Sequence, residues 1–444
     1  MEAQIVILIV AFLAMLCLNV PVAVAIGLCT LIVMVSMPEV PATLVMAQRM
    51  NSGASSFTLL AIPFFILAGI LMGEGGMSRR LIDFAALLVG RYRGGLAYVS
   101  TLTCMLFGAI SGSATAAVSS IGGMMIPAMQ KKGFDRDYSV AVTTTAATTG
   151  LLIPPSNVMI VYAVVSGNVS VAAMFMAGVL PGILLGLLIM VVCWFTVGNA
   201  LQMDVGKTEP AEPISPPLIG SSMASWKIVL GAVPSMLLIV VVLSGILGGV
   251  FSATEASAIA VLYAFFMSVC YYREVTLAQL PSICLRTGVM TSVVFLLIST
   301  SQAMSWALAY QDIPQTAATL MLQISDNPIV IMLLINIALL LVGMFMDMTP
   351  AVLIFTPIFL PVAEGLGMHP VHFGVMMVVN LCIGLCTPPV GTCLFVGCSV
   401  GKTSIASVTR AMIPFFIAML ITLLVTTYWS PLTMWIPTVL HLTK

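Results

Sequence analysis

Hydrophobic residues occur in long runs from one end of the chain to the other. A run of about 20 apolar residues spans a bilayer as a helix, so the pattern predicts a membrane protein with many helices. The first run has no basic residues before it, and we interpret it as a retained helix rather than a cleaved signal. The runs expected to span are 5–18, 22–36, 57–72, 171–195, 228–247, 256–271, 289–304 and 412–428.

Four stretches between these runs are shorter or more polar. Segments 41–52 and 313–324 mix apolar and polar residues and are expected to lie along the membrane interface. The stretch 276–285 is predicted to be a short segment of its own. The stretch 78–93 contains four arginines and is predicted to be a basic loop.

Two further apolar runs are interrupted by a pair of prolines. In the first run, Pro154 and Pro155 follow Gly150, and Ser156 begins a new apolar stretch. Proline removes a backbone donor and disfavours helix in the residue before it. The second interruption lies within 380–401. Since unpaired backbone groups at membrane depth are tolerated only where they line a cavity or bind a solute, both runs are predicted to be broken helices at a binding site.

The two interruptions are related by a constant shift along the chain. Gly384 lies 384 − 150 = 234 residues after Gly150, and the same shift relates both prolines of each pair and relates Gly167 to Gly401. The shared glycines and prolines predict a duplicated unit, and paired interrupted segments are typical of a secondary transporter's binding site. The alternative is two ordinary proline-kinked helices.

A hairpin is predicted before each broken helix. The run 96–129 is broken by Ser-Gly-Ser, which leaves arms too short to span at about 1.5 Å per residue. It therefore predicts a re-entrant hairpin with its tip at 111–115. The run 328–362 repeats this pattern, with its tip at 347–350.

Composition and charge narrow the class of protein. The chain is 61% hydrophobic and 7% charged, which excludes a soluble globular protein, and its zero net charge argues against a nucleic-acid partner. With the N-terminus outside, the basic clusters fall on the inner side, and no Lys or Arg occurs between residues 287 and 401. The first hairpin should therefore open inward and the second outward, as inverted repeats require.

We predict an all-α polytopic membrane protein made of two inverted repeats, each with a re-entrant hairpin and a broken helix. Each repeat should contain a scaffold part with an interfacial arm, followed by a transport part with the hairpin and the broken helix. The predicted divisions are scaffold 1–93, transport elements 94–200, linker 201–225, scaffold 226–326, and transport elements with the last helix 327–444.

Six segments carry a resemblance to a known family: 61–69 (AIPFFILAG), 110–113 (ISGS), 150–157 (GLLIPPSN), 254–256 (TEA), 356–361 (TPIFLP) and 384–391 (GLCTPPVG). Over nearly its whole length the chain resembles the large membrane subunit of the tripartite ATP-independent periplasmic (TRAP) transporters, the DctM-like family. The resemblance implies Na⁺-driven uptake of organic acids by an elevator motion in the bacterial inner membrane. It also implies two partners, a small four-helix membrane subunit (DctQ-like) and a periplasmic substrate-binding protein (DctP-like), and no cofactor beyond the coupling ion.

The resemblance also implies site residues. The first Na⁺ site would use Ser111, Gly150, Ile153 and Pro155, and the second Gly343, Gly384, Thr387 and Val390, mostly through backbone carbonyls. Substrate would lie between the tips, where half-helix N-termini favour an anion. The residues expected near it are Ser113, Thr115, Ser156, Asn157, Thr349 and Thr392. For each Ser or Thr the alternative is a hydrogen bond to its own backbone.

Three ionisable residues have a structural interpretation, and two of them, Asp347 and Arg49, also have a functional one. Asp347 at membrane depth is a candidate for cation coupling, or a cap on the hairpin tip. Arg49 is a candidate for binding the substrate carboxylate, or an interfacial side chain reaching the headgroups. Glu255 begins a helix, where an acid is favourable for structural reasons alone.

Other apparent motifs are weaker. Residues 397–403 resemble a phosphate loop but are one residue short, and His369 with His372 has no evident third metal ligand. No catalytic arrangement of residues is present, so an enzyme is not predicted. The nearest alternative function is a stand-alone ion-coupled dicarboxylate carrier or antiporter of the same architecture. A membrane anchor that does not transport is a further alternative, but it has no use for broken backbone at the midplane.

Overall fold

The computed structural model describes residues 2–18, 20–37, 39–92, 94–167, 169–200, 225–325 and 327–442, and all regular elements in these ranges are helical. The predicted linker 201–225 lies outside them except for Ser225. Seven continuous helical stretches in the described ranges are long and apolar enough to cross a membrane.

The helices are numbered along the chain. Short 3₁₀ helices precede α4 (Phe57–Leu60) and α13 (Leu277–Gln279), and a π-helical turn (Phe266–Tyr271) follows α12. The bounds are α1 Glu2–Cys17, α2 Val22–Val35, α3 Ala42–Ala54, α4 Ala61–Glu74, α5 Met77–Val89, α6 Gly95–Ser111, α7 Ala114–Lys131, α8 Arg136–Thr149, α9 Asn157–Ser166, α10 Val171–Ala200, α11 Ser225–Leu247, α12 Ala253–Phe265, α13 Leu280–Tyr310, α14 Ile313–Ile324, α15 Pro328–Gly343, α16 Met348–Gly365, α17 Pro370–Gly384, α18 Thr392–Gly401, α19 Ile405–Tyr428 and α20 Pro431–Val439.

One series of five helices occurs twice. A hairpin (α6–α7, then α15–α16) is followed by a broken helix (α8–α9, then α17–α18) and by a long helix (α10, then α19). The lengths are 17, 18, 14, 10 and 30 residues in the first series and 16, 18, 15, 10 and 24 in the second. The structure thus contains the two hairpins and the two broken helices. Their opposite orientation in the membrane stays a prediction.

The predicted basic loop at 78–93 is wrong, because most of it forms α5. Leu81, Ile82 and Ala85 are buried on one face of this helix. Arginine has a good helix propensity, so charge at positions away from the core does not prevent helix formation.

Two other predicted boundaries also change. The segments 276–285 and 289–304 were predicted to be separate, but residues 280–285 of the first and all of the second lie in the single helix α13. Pro281 is in the first turn of α13, where a missing N–H costs nothing, so it does not separate them. Helix α20 follows the last predicted span and is too short to have given a spanning signal.

The helices before each series pack across the two halves of the chain. Helix α4 contacts α12, and α2 contacts α13. Ser268 Oγ donates to Leu71 O at 2.9 Å. Arg80 forms an ion pair with Glu274 at 2.9 Å and lies over the Tyr272 ring, 3.6 Å from its centroid. These contacts join the helices that precede the two series into one unit.

The two series also pack against each other reciprocally. Helix α7 contacts α18, and α16 contacts α9. Between the broken helices, Cys382 Sγ lies 3.5 Å from Thr148 O, and these positions differ by the same 234 residues. A contact between equivalent positions is what a two-fold relation requires at its axis.

Candidate substrate and cation site

The first hairpin contacts the first broken helix through glycines. A Cβ on Gly150 would lie 2.2 Å from Gly108 Cα, so the backbones of α6 and α8 touch. At the tip, Gly112 has φ +60°, and a Cβ there would lie 2.9 Å from Asn157 Nδ2 at the start of α9. A side chain at either position would push the tip away from the helix break.

Polar side chains surround this first junction. Ser113 caps α7 by accepting a hydrogen bond from Ala116 N at 3.3 Å, and its hydroxyl lies 3.1 Å from Thr115 Oγ1. Ser156 Oγ and Asn157 Oδ1 are buried and have no hydrogen-bond partner among the described residues. A buried polar atom without a partner costs free energy, so these two atoms suit a bound solute or ion.

The second hairpin meets the second broken helix in the same way. A Cβ on Gly384 would lie 2.6 Å from Gly343 Cα, so α15 and α17 are in backbone contact. Val390 N, beyond the proline pair, donates to Met344 O at 3.2 Å. This bond and the glycine contact hold the end of α15 against the break in the second helix.

The second tip differs from the first in its side chains. Asp347 is at the N-cap position of α16, but it makes no side-chain capping hydrogen bond. Its carboxylate instead accepts a hydrogen bond from Thr392 Oγ1 at 3.4 Å, and it is exposed at the protein surface. Thr387 Oγ1 donates to Ile383 O at 2.7 Å, which leaves its oxygen free to accept. Thr349 is in the first turn of α16, half-buried.

Both breaks leave backbone carbonyls without a backbone hydrogen bond. Within the described ranges, no backbone N–H donates to the carbonyl oxygens of residues 150–155 or of residues 386–389. The prolines supply no N–H, and the residues after each break begin a new helix. Free carbonyl oxygens are the ligands that discontinuous helices offer to Na⁺, so the donor set of both breaks fits this ion.

Helix N-termini converge on the same region. Helices α7 and α18 touch at Gly122 and Val400, each eight residues beyond the first residue of its helix. Along α8, Gly397 lies near Thr144 and Gly401 near Val140, so α18 runs antiparallel to α8 and therefore parallel to α7. Their N-termini therefore lie at one level, next to the tips, where partial positive charge favours an anion.

Several predicted site residues lie elsewhere or have a second role. The Ile153 side chain packs against Gly182 of α10, and the Pro155 ring lines a small apolar cavity with helices α4, α11 and α12. Arg49 on α3 is exposed and lies over the Trp306 ring at 5.5 Å, and no contact with the tips is found among the described residues. Glu255 forms a capping box with Ser252, in agreement with its structural interpretation.

Sequence reasoning missed two polar residues of the second junction. Asn336 on α15 and Asn380 on α17 are buried and hydrogen-bonded to each other. The available signal was a single amide inside each apolar run, but their pairing depends on how two helices cross.

Residues 9–432 match the sequence model of the family described as Tripartite ATP-independent periplasmic transporter, DctM component. The chain belongs to this family. It is therefore a multi-pass inner-membrane permease of the TRAP type, not an enzyme, and the resemblance noted from the sequence is confirmed.

Individual relatives cover most of the permease. It is 46% identical to the Salmonella typhimurium protein YgiK over 98% of this chain and 97% of that protein. It is 39% identical to the C4-dicarboxylate TRAP transporter large permease protein DctM of Pseudomonas aeruginosa, over 86% of this chain and 87% of that one. Among solved structures, the Alcanivorax borkumensis YdaH transporter matches with a TM-score of 0.63 at 13% identity, covering 87% of this chain and 88% of that one, which shows a shared fold.

Proposed function

We propose that this permease imports an organic acid by coupling its entry to that of Na⁺, with the anion and the cations held between the two hairpin tips and the two helix breaks. The observation that carries the proposal is the pair of breaks, whose free carbonyls lie beside the N-termini of half-helices. Carbonyls favour a cation and helix N-termini favour a carboxylate.

In this proposal the first cation is held by carbonyls of residues 150–155 and by the tip around Ser111. The second is held around Gly343 and Gly384, with the Thr387 hydroxyl. The carboxylate accepts hydrogen bonds from Ser, Thr and Asn side chains at the tips, from free N–H groups at the start of α9 and from the Thr392 N–H; the next two N–H groups of α18 already donate to Leu385 O. No membrane-depth Lys or Arg is needed, because the cations and helix ends supply the positive charge.

An elevator motion is proposed because the surface between the scaffold helices and the transport elements, here called the core, is apolar. Pro155 faces Phe65, Ala68 and Val242 across an apolar cavity, and Gly69 lies close to the Ser111 backbone. A surface of apolar and small side chains has few directional bonds to break when the core slides along the scaffold. The scaffold is held together by its own contacts between α4 and α12.

The substrate and the partners are also proposed. A relative is named for C4-dicarboxylates, and the site offers groups that fit this class, sialic acid or a similar carboxylate. The family description names a tripartite transporter of which this chain is one component. We expect a small DctQ-like membrane subunit and a periplasmic DctP-like binding protein to complete it.

The test is uptake of labelled organic acids into proteoliposomes that contain the permease and its small subunit. An inward Na⁺ gradient is compared with an equal K⁺ gradient, with and without the cognate binding protein. Uptake that needs both Na⁺ and the binding protein supports the proposal. Na⁺-driven uptake that needs no binding protein would instead identify a stand-alone carrier.

A further inference from the structure

Two buried asparagines join the second hairpin to the second broken helix. Asn380 Nδ2 donates to Asn336 Oδ1 at 2.8 Å and to Asn336 O at 2.9 Å. Asn336 Nδ2 in turn donates to Met332 O at 3.0 Å and to Thr427 Oγ1 on α19 at 3.1 Å. Three helices, α15, α17 and α19, are therefore held by one polar network inside an apolar core.

Along each helix, the asparagine precedes the glycine of the second candidate cation site by one or two turns. Asn380 precedes Gly384 by four residues and Asn336 precedes Gly343 by seven, which is about one and two helical turns. Gly343 and Gly384 are in backbone contact, so no side chain separates the two helices there. The asparagine pair thus fixes the register in which α15 and α17 cross at the candidate cation site.

Helix packing alone does not require this pair. At the positions 234 residues earlier stand Leu102 and Ala146. The same two helices of the first half are joined instead by a 3.0 Å contact between the Ser100 and Thr143 hydroxyls and a weak 3.9 Å bond from Cys104 Sγ to Thr143 O, without any amide. Buried amides carry a desolvation cost that leucine and alanine do not. In addition, Asn380 Oδ1 is buried and has no partner among the described residues. Because the second half keeps the desolvation cost of two buried amides, we expect these asparagines to have a role that the first half does not need.

We propose that Asn336 and Asn380 are positioning residues for the second cation site. By fixing α15 against α17, they hold the Gly343–Gly384 crossing and the carbonyls after it in the geometry that binds Na⁺. They act through the backbone and do not themselves contact the ion. This inference rests on the proposed Na⁺ coupling.

The experiment uses the full permease complex with three variants. Asn380→Ala removes one partner, and the double variant Asn336→Leu/Asn380→Ala installs the residue pair of the first half. Thr422→Val is the matched control, because the Thr422 hydroxyl is buried but bonds only to Ala418 O of its own helix. For each protein, the Na⁺ concentration for half-maximal uptake and for half-maximal thermal stabilisation is measured, with K⁺ keeping the ionic strength constant.

We expect both half-maximal Na⁺ concentrations to rise about fivefold or more in Asn380→Ala and in the double variant, as expected for a lost buried hydrogen bond. The substrate KM at saturating Na⁺ should be unchanged. The double variant should melt near the wild-type temperature in K⁺ alone, because removing both partners leaves little unpaired. Thr422→Val should show neither shift.

Wild-type Na⁺ dependence in the double variant would overturn the inference, and so would a lower melting temperature with an unchanged Na⁺ response, since that is a structural role only. A wild-type permease that shows no response to Na⁺ would instead contradict the proposed function. The two failures are therefore distinguishable.

Discussion

The two junctions between hairpin and broken helix share their backbone and differ in their side chains. In both, a glycine of the first hairpin arm touches the glycine that ends the first half of the broken helix. The first tip is neutral, with Ser113 capping α7. The second tip has Asp347, which is exposed and is bonded to Thr392 rather than to the helix end.

Features that both junctions share are required by the fold, and side chains found in one junction only are candidates for its ion chemistry. Close backbone approach and free carbonyls occur in both halves, so they belong to the architecture that makes a site. The carboxylate, the Thr387 hydroxyl and the asparagine pair occur only in the second half; Ile153 stands at the position equivalent to Thr387. We therefore expect the two sites to respond unequally to matched substitutions.

The largest loss of uptake is expected from the glycine contacts that both junctions share. Gly150→Ala and Gly384→Ala each place a methyl group 2.2 Å and 2.6 Å, respectively, from the glycine backbone opposite, so the hairpin must move away from the break. Both variants should lose essentially all uptake. Gly123→Ala is the control, because a Cβ there meets nothing within 4 Å. Retained uptake in Gly384→Ala would show that the second crossing is not needed in this form.

A smaller effect is expected from the acidic tip. Asp347→Asn keeps the size of the side chain and removes its charge, and we expect Na⁺-driven uptake to fall about tenfold, or about 1.4 kcal/mol. The measurement is initial uptake rate at fixed substrate with varied Na⁺. A double variant adds Ser113→Asp to Asp347→Asn and so moves the acid from the second tip to the first. It tests whether the charge acts only in the second half. A rate unaffected by Asp347→Asn would remove this residue from coupling.

Thr387 provides a third contrast. Thr387→Val keeps the shape and removes the hydroxyl, which makes the second break resemble the first at this position. We expect the half-maximal Na⁺ concentration to rise about threefold with substrate KM unchanged, because the second Na⁺ site loses one weakly binding hydroxyl oxygen. Measuring both constants in the same proteoliposomes checks this. A shift in KM alone would place Thr387 on the substrate instead.

Much of this architecture was predictable because its signals are local. Proline pairs and the Ser-Gly-Ser tip act on the backbone within a few residues, so the breaks and hairpins were found where the structure has them. Helix α5 was predicted to be a loop because its arginines outweighed the apolar residues of its buried face. Helix α13 was predicted to be two segments because Arg286 lies between two apolar runs. Asn336 and Asn380 could not be paired, since they lie 44 residues apart and meet only through helix crossing.

The smallest effect concerns the first turn of each broken helix. Asp135 caps α8 and His369, 234 residues later, caps α17 by accepting from Val371 N at 3.1 Å. Burial lowers the pKa of His369, although Glu364 opposes this, so the imidazole is neutral and able to accept. Its stabilisation is fully present above the unfolded-state pKa of about 6.5 and is lost as the pH falls through the lowered folded-state pKa.

We therefore expect acid to weaken the second cap by about 1 kcal/mol. His369→Asp copies the first half and should make thermal stability less dependent on pH between about pH 8 and pH 5. Melting temperatures of the wild type and this variant across that range are the measurement. Identical pH profiles would show that the cap does not contribute.

Binding of radiolabelled Na⁺ to the purified permease tests the central claim most directly, because it needs no partner protein and no gradient. We predict saturable binding that a carboxylate substrate strengthens, that Thr387→Val weakens, and that Gly384→Ala reduces to the level of the first site alone. Absence of saturable Na⁺ binding in the wild-type protein would contradict the account, since the free carbonyls of both breaks would then have another purpose.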